Sequence, residues 1–242
     1  MKKILIILFA LFLIIPSCGG KNESEQSIIE ESKKLSENSS LNTEIKKLKK
    51  ELKESTEDVK KAEITTEIAS LEATKGNYSE AIKTAEEAVK LDPKQAEARY
   101  VLGRSYMNTG RYDAAEKNLK EALEIRPDHP SALFEMGNYY YKKGNFPKAI
   151  TAYEQSLKFD DKNYMAHNNL GVLYYITGKY QKSETELQTV LKLKPEFAGA
   201  HKNLGILYDL KLKNKALAVN HYRDYLKLSP NAPEREAVKY WI

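Results

Sequence analysis

The 242-residue chain is short of the side chains on which most site chemistry depends: one cysteine, one tryptophan and four histidines. A single cysteine excludes an intrachain disulfide framework and a cysteine-based zinc site. Four histidines leave little material for a His-rich metal cluster, and no metal or other cofactor is expected. Charge of one sign is also lacking. Lys+Arg number 39 against Asp+Glu 34, for a net charge of +5, and no block carries a sustained field. Phosphate neutralisation is therefore a poor explanation of the basic excess, and no nucleic-acid role is expected. There is no Ser/His/Asp or Cys/His set, no Gly-rich phosphate loop and no carboxylate pair placed for a cleft. Asp160-Asp161 is ordinary turn chemistry. No enzyme is expected.

Long apolar runs are absent but for one. Met1-Lys2-Lys3 is basic, and Ile4 to Ile15 is an unbroken apolar stretch of twelve residues. That is too short to cross a bilayer core of about 30 Å comfortably as a helix, but it suits the apolar region of a signal peptide. It ends at Ile15-Pro16-Ser17-Cys18-Gly19-Gly20. This resembles a bacterial lipobox, with Ser17 as the small residue and Pro16 as a departure from the usual pattern. The resemblance implies a signal peptide over 1–17, lipidation of Cys18 and attachment to the envelope membrane. The alternative is a cleaved signal beside an incidental cysteine; the isolation of Cys18 favours lipidation. Gly19 is not an acidic retention residue, which favours the outer membrane.

Residues 18–43 are rich in Ser and Glu and lack aromatics, so they read as a flexible tether. Over 44–61, Ile45, Leu48, Leu52 and Val59 recur at helical spacing among lysines, predicting a charged amphipathic lead-in helix. A short coiled coil or contact with an anionic lipid surface is the other reading of that segment.

Glycine and proline are scarce, at 11 and 8, and most of them fall in phase. Gly103, Gly137, Gly171 and Gly205 are each 34 residues apart, and Gly76, Gly110, Gly144 and Gly178 repeat the same interval. Pro93, Pro127, Pro195 and Pro230 form a third series, with Asp161 in place of one member and one extra residue before the last. Tyr106, Tyr140, Tyr174 and Tyr208 form a fourth, and Tyr78, Tyr112, Phe146 and Tyr180 a fifth. A fixed period of this length marks a repeat architecture in which each unit is one supersecondary element.

These residues resemble the tetratricopeptide repeat. Leu102-Gly103, Met136-Gly137, Leu170-Gly171 and Leu204-Gly205 match its Leu-Gly pair, and Ala81, Ala115, Ala149, Ser183 and Ala218 its small second-helix residue. The resemblance implies an all-α, right-handed superhelical solenoid of about five helical hairpins. Their spans are 62–95, 96–129, 130–163, 164–197 and 198–232, followed by a capping helix over 233–242 with Trp241 as its anchor. The first repeat departs at Ala69 and Glu72. The fifth departs at Lys211-Leu212-Lys213-Asn214-Lys215, which replaces the glycine turn; end repeats are commonly atypical. A mid-helix glycine costs about 1 kcal/mol against alanine. The expected compensation is close helix–helix approach opposite the Ala115/Ala149 phase. Gly110 and its counterparts are expected to end the first helix at positive φ.

Around the first helix, repeat positions 4, 7, 8 and 11 share the hairpin-core side at about 100° per residue, and positions 2, 5, 9 and 12 form a separate stripe. The stripe contains Tyr100, Arg104 and Met107; Phe134, Asn138 and Tyr141; Met165, Asn168, Val172 and Tyr175; and Lys202, Ile206 and Asp209. By resemblance it lines a concave groove that receives an extended or helical segment of a partner protein. The competing reading is that part of it packs between repeats. Phe134 and Gly199 stand where the family's carboxylate clamp would have lysines, so that activity is not expected. His167 and His201 read as packing histidines, and two of them one repeat apart are too few for a metal site.

The layout is similar to lipoproteins of this family that serve in pilus assembly, outer-membrane assembly or peptidoglycan remodelling. It predicts a membrane-tethered interaction adaptor of the bacterial envelope. A self-assembling homodimer paired through 44–61 or the end caps is the alternative.

Overall fold

The structure, a computed structural model, describes residues 25–242, with side chains from Lys34 onward. The signal-like segment and Cys18 lie outside the described residues. Twelve helices and no strand are found among the described residues. None of these helices is long and apolar enough to cross a membrane. The chain divides into two compact units at Asp161 and Lys162.

The first unit opens with α1 (Glu25–Glu54) and continues in three hairpins. These are α2 (Asp58–Thr74) with α3 (Tyr78–Leu91), α4 (Ala96–Asn108) with α5 (Tyr112–Ile125), and α6 (Pro130–Lys142) with α7 (Phe146–Phe159). The second unit contains α8 (Tyr164–Ile176) with α9 (Tyr180–Leu193), α10 (Ala198–Leu210) with α11 (Lys215–Leu228), and the short α12 (Arg235–Trp241).

The 34-residue phase becomes geometry at three points. After α4, Gly110 takes φ of 74°, and the Arg111 amide reaches back to the Tyr106 carbonyl at 2.9 Å. This is a Schellman-type closure in which glycine avoids the steric cost of the left-handed region. The same back-bond joins Asn145 to Tyr140 and Lys179 to Tyr174. After α5, Arg126 adopts an extended φ/ψ of −133°/89°, the conformation that Pro127 favours in the residue before it.

The third point concerns Gly137 and its counterparts, and it corrects an expectation. A Cβ on Gly137 would lie 2.5 Å from the Tyr153 ring, and one on Gly103 would lie 2.6 Å from Leu119. Gly171 and Gly205 meet Leu187 and Tyr222 in the same way. The compensation is thus a large second-helix side chain seated on the glycine, one turn beyond the Ala115/Ala149 phase. Burial of that side chain offsets the helix penalty: Leu119 is fully buried and Tyr153 is 1% exposed. In the first repeat both partners shrink, to Ala69 and Ala85, and both remain buried.

Neighbouring hairpins share cores. In the first unit, Ala69, Ile82 and Ala85 pack with Val101, Leu102 and Tyr106, and Leu119 and Ala122 pack with Ala132 and Met136. In the second unit Leu187, Leu204, Leu207, Tyr222 and Val238 form one cluster. Within each unit, hairpins therefore bury apolar faces on their neighbours, the solution open to repeats that cannot bury them alone.

Two further expectations change. Residues 25–43, read as a tether, belong to α1. No glycine or proline occurs between Gly20 and Gly76, and the end of α1 is anchored by Ile45 and Leu48 against Ile64 and Ile68. Once a helix is nucleated, extending it costs little per residue. The lead-in helix over 44–61 is divided, with α1 ending at Glu54 and α2 beginning at Asp58. The Ile45/Leu48 seam is occupied within the chain. In the fifth hairpin, where glycine is missing, Lys213 takes φ of 58° and Asn214 bonds back to Tyr208 at 2.9 Å. The extra residue is absorbed in that turn.

Candidate functional site

Each first helix carries the stripe on a rigid element, held from behind by the glycine-seated side chain. In the first unit the stripe residues of α4 and α6 are all half-buried. Tyr100 packs at a tilt against His129 with ring centroids 5.0 Å apart, and Tyr100 and Met107 rest against two core clusters of the first unit. Phe134 lies 5.6 Å from the Tyr153 ring, and Tyr141 lies 6.0 Å from Phe146. The Tyr153 hydroxyl donates to Asn138 Oδ1 at 2.6 Å, and Asn138 Nδ2 donates to Glu135 Oε2 at 3.0 Å.

Burial pushes the Glu135 carboxyl above its ordinary value, against the opposing effects of the Asn138 hydrogen bond and the Arg104 charge. Burial also raises the Tyr100 and Tyr141 phenols, which therefore stay neutral donors near pH 7. The result is a row of aromatic bodies with polar edges and one carboxyl among them. Such a row can cover apolar side chains while hydrogen-bonding a backbone. Glu135 is absent from the sequence-predicted set because it sits at position 6, beside the stripe.

In the second unit the α8 and α10 stretches differ. Met165 is 44% exposed. Asn168 accepts from Asn203 at 3.2 Å, a contact between the two first helices. Tyr175 packs 6.0 Å from Tyr180, with the Lys211 ammonium over both rings. Its phenol is pushed up to about 12, first by burial and then by Tyr180. Val172 and Ile206 are buried and line a small pocket with Tyr175, Leu187 and Asn203.

Lys202 and Ile206 are corrections to the sequence-predicted site. Lys202 is only 7% exposed, and its Nζ meets Glu234 Oε1 at 2.9 Å. The Tyr225 hydroxyl donates to the same oxygen at 2.6 Å. Burial alone would raise the Glu234 carboxyl, but the Tyr225 and Lys202 hydrogen bonds outweigh it and hold the group below the ordinary carboxylate range. Ile206 is 2% exposed in the cluster that holds Val238 of α12. Asp209 pairs with Lys215. Glu234 of the C-terminal segment thus takes Lys202 out of the stripe, while Ile206 is buried beside Val172, Tyr175 and Leu187 of α8 and α9. The open stretches are Tyr100, Arg104, Met107, Phe134, Asn138 and Tyr141 in one unit and Met165, Asn168 and Tyr175 in the other.

Repeated helical hairpins with an aromatic first-helix stripe define the class of helical-repeat interaction scaffolds. Tetratricopeptide-repeat sequence models match residues 73–133 and 164–197, and a TPR-repeat model matches 137–178; the chain belongs to the tetratricopeptide-repeat family. The family is generally one of interaction scaffolds. Comparison with curated proteins finds no match.

Solved structures share the fold. The Cut9–Hcn1 hetero-tetramer of APC/C is similar at a TM-score of 0.68 and 23% identity, over 75% of this chain and 36% of that one. This chain therefore spans about a third of that subunit's length. YrrB, described as a TPR protein with an unusual peptide-binding site, aligns at 0.62 and 20% identity, over 80% and 97% of the two chains. PilW, described as a widely conserved type IV pilus biogenesis factor, aligns at 0.65 and 21%, over 74% and 85%.

Proposed function

We propose that the chain is a protein-interaction adaptor of the bacterial envelope, tethered through lipid on Cys18, that docks an extended or helical segment of a partner on its first-helix stripes. The carrying observation is the set of half-buried aromatic side chains on α4 and α6 of the first unit, with exposed Met165 on α8 of the second. Aromatic residues on a rigid frame are effective anchors because they offer large contact area at low entropic cost. The peptide-binding description of YrrB and the pilus role given for PilW support this reading by precedent. The partner, in this reading, is another envelope protein. Binding alone is the mechanism.

The test is affinity capture from detergent-solubilised envelope with the full chain and two variants, Phe134→Glu and Met165→Glu. Loss of a partner with an unchanged melting transition supports the proposal; retention of every partner by both variants refutes it. For the tether, Cys18→Ala should release the protein from the membrane fraction. Unchanged fractionation would refute lipidation.

A further inference from the structure

The fifth hairpin holds a group of side chains that the docking role does not use. His201 on α10 and His221 and Asp224 on α11 present three ligand atoms within 4.8 Å of one another. His201 Nδ1 stands 3.1 Å from His221 Nδ1 and 3.6 Å from Asp224 Oδ2. On the other side of the ring, His201 Nε2 lies 3.1 Å from the carbonyl of Pro195. A carbonyl only accepts, so Nε2 carries the hydrogen, and in the neutral ring Nδ1 turns a lone pair toward His221. An imidazole whose far nitrogen is fixed by a backbone carbonyl is the usual arrangement of a metal-ligating histidine.

The His221 ring is fixed as well. Tyr208 stacks on it with centroids 5.6 Å apart and planes 11° from parallel, and Tyr208 is held by its hydroxyl bond to Glu184. The Asp224 side chain is 55% exposed, which opens the group to solvent.

We propose that His201, His221 and Asp224 form a binding site for a first-row divalent metal ion of the zinc type. Two imidazole nitrogens and a carboxylate oxygen suit zinc and its neighbours and poorly suit calcium or magnesium, which take all-oxygen shells. Ligand–metal bonds of about 2.0–2.2 Å place tetrahedral ligand atoms somewhat over 3 Å apart, close to the separations from His201 Nδ1. Without metal, the His221 Nδ1 hydrogen bridges to His201 Nδ1. On binding, that proton leaves to solvent or reappears on Nε2, so the metal replaces a proton between the two rings. Water completes the coordination. Because α10 and α11 run antiparallel, the ion clips the hairpin at the end away from its glycine-free turn.

The test is calorimetric titration of the untagged full chain with zinc chloride, alongside Asp224→Asn, His201→Gln and a control, His167→Gln. His167 holds the same repeat phase one hairpin earlier but meets Glu186 at 2.6 Å instead of a second histidine. The expected result is one zinc per chain for wild type and control, weakened by at least about tenfold in Asp224→Asn and lost in His201→Gln. Zinc should raise the melting temperature of wild type and not of Asp224→Asn, whose exposed isosteric change leaves folding intact if His201→Gln does not fold. No saturable zinc binding, or zinc binding of equal strength in wild type and Asp224→Asn, overturns the proposal.

Discussion

Helices α6 and α10 carry the same repeat positions 68 residues apart, yet they do opposite things with them. On α6 the stripe residues Phe134, Asn138 and Tyr141 are half-buried on an accessible face. On α10, Lys202 is buried in an ion pair with Glu234 of the C-terminal segment, and Ile206 is buried beside Val172, Tyr175 and Leu187 of the preceding hairpin. Phase decides which side chains share a face, and the neighbouring elements decide whether that face stays open. A stack of hairpins has an uncovered end, and here the last residues pack on it through the Lys202–Glu234 ion pair and the apolar side chains of Val238 and Trp241. Lys202 belongs to that closure and is no anchor for a partner.

Substitutions on the two helices separate a covered stripe from an open one. Ile206→Ala should cost about 2–5 kcal/mol in chemical denaturation, as a large-to-small change in a closed core. Glu234→Gln should cost about 1–3 kcal/mol at neutral pH because it strips the charged partner from buried Lys202. Its sign with pH is fixed: the Glu234 carboxyl is depressed in the fold, so its contribution is full above the ordinary value of 4.5 and fades as pH falls through the folded value. The wild-type and Glu234→Gln unfolding curves should therefore converge in acid. Lys213→Gly should act the other way, stabilising by about 1 kcal/mol by relieving the one non-glycine residue at positive φ among the described residues. Met165→Glu should move stability by no more than about 0.5 kcal/mol while altering the docking face. Equal penalties at Ile206 and Met165 would remove the distinction between the two helices.

Much of the fold is legible in the sequence because the repeat fixes backbone chemistry at each phase. Gly110 ends a helix and Pro127 stops one wherever they recur, so hairpin positions can be read from spacing. The residue seated on Gly137 is harder to find, since its counterparts alternate between leucine (Leu119, Leu187) and tyrosine (Tyr153, Tyr222) and share only a register of 16 or 17 residues. The α1 helix is hidden because a serine-rich composition outweighs the absence of glycine and proline. The burial of Lys202 is hidden for a different reason: it depends on Glu234, which obeys no 34-residue rule. The His201–His221 pairing is legible only once α10 and α11 are laid side by side.

The most direct test of the docking account is photo-crosslinking in the native envelope. A photoreactive side chain is placed singly at Phe134, at Met165 and, on the exposed surface of α5, at Lys117. The account predicts the same partner adduct from positions 134 and 165 and none from 117. Adducts from 117 alone, or an equal adduct from all three, would contradict it.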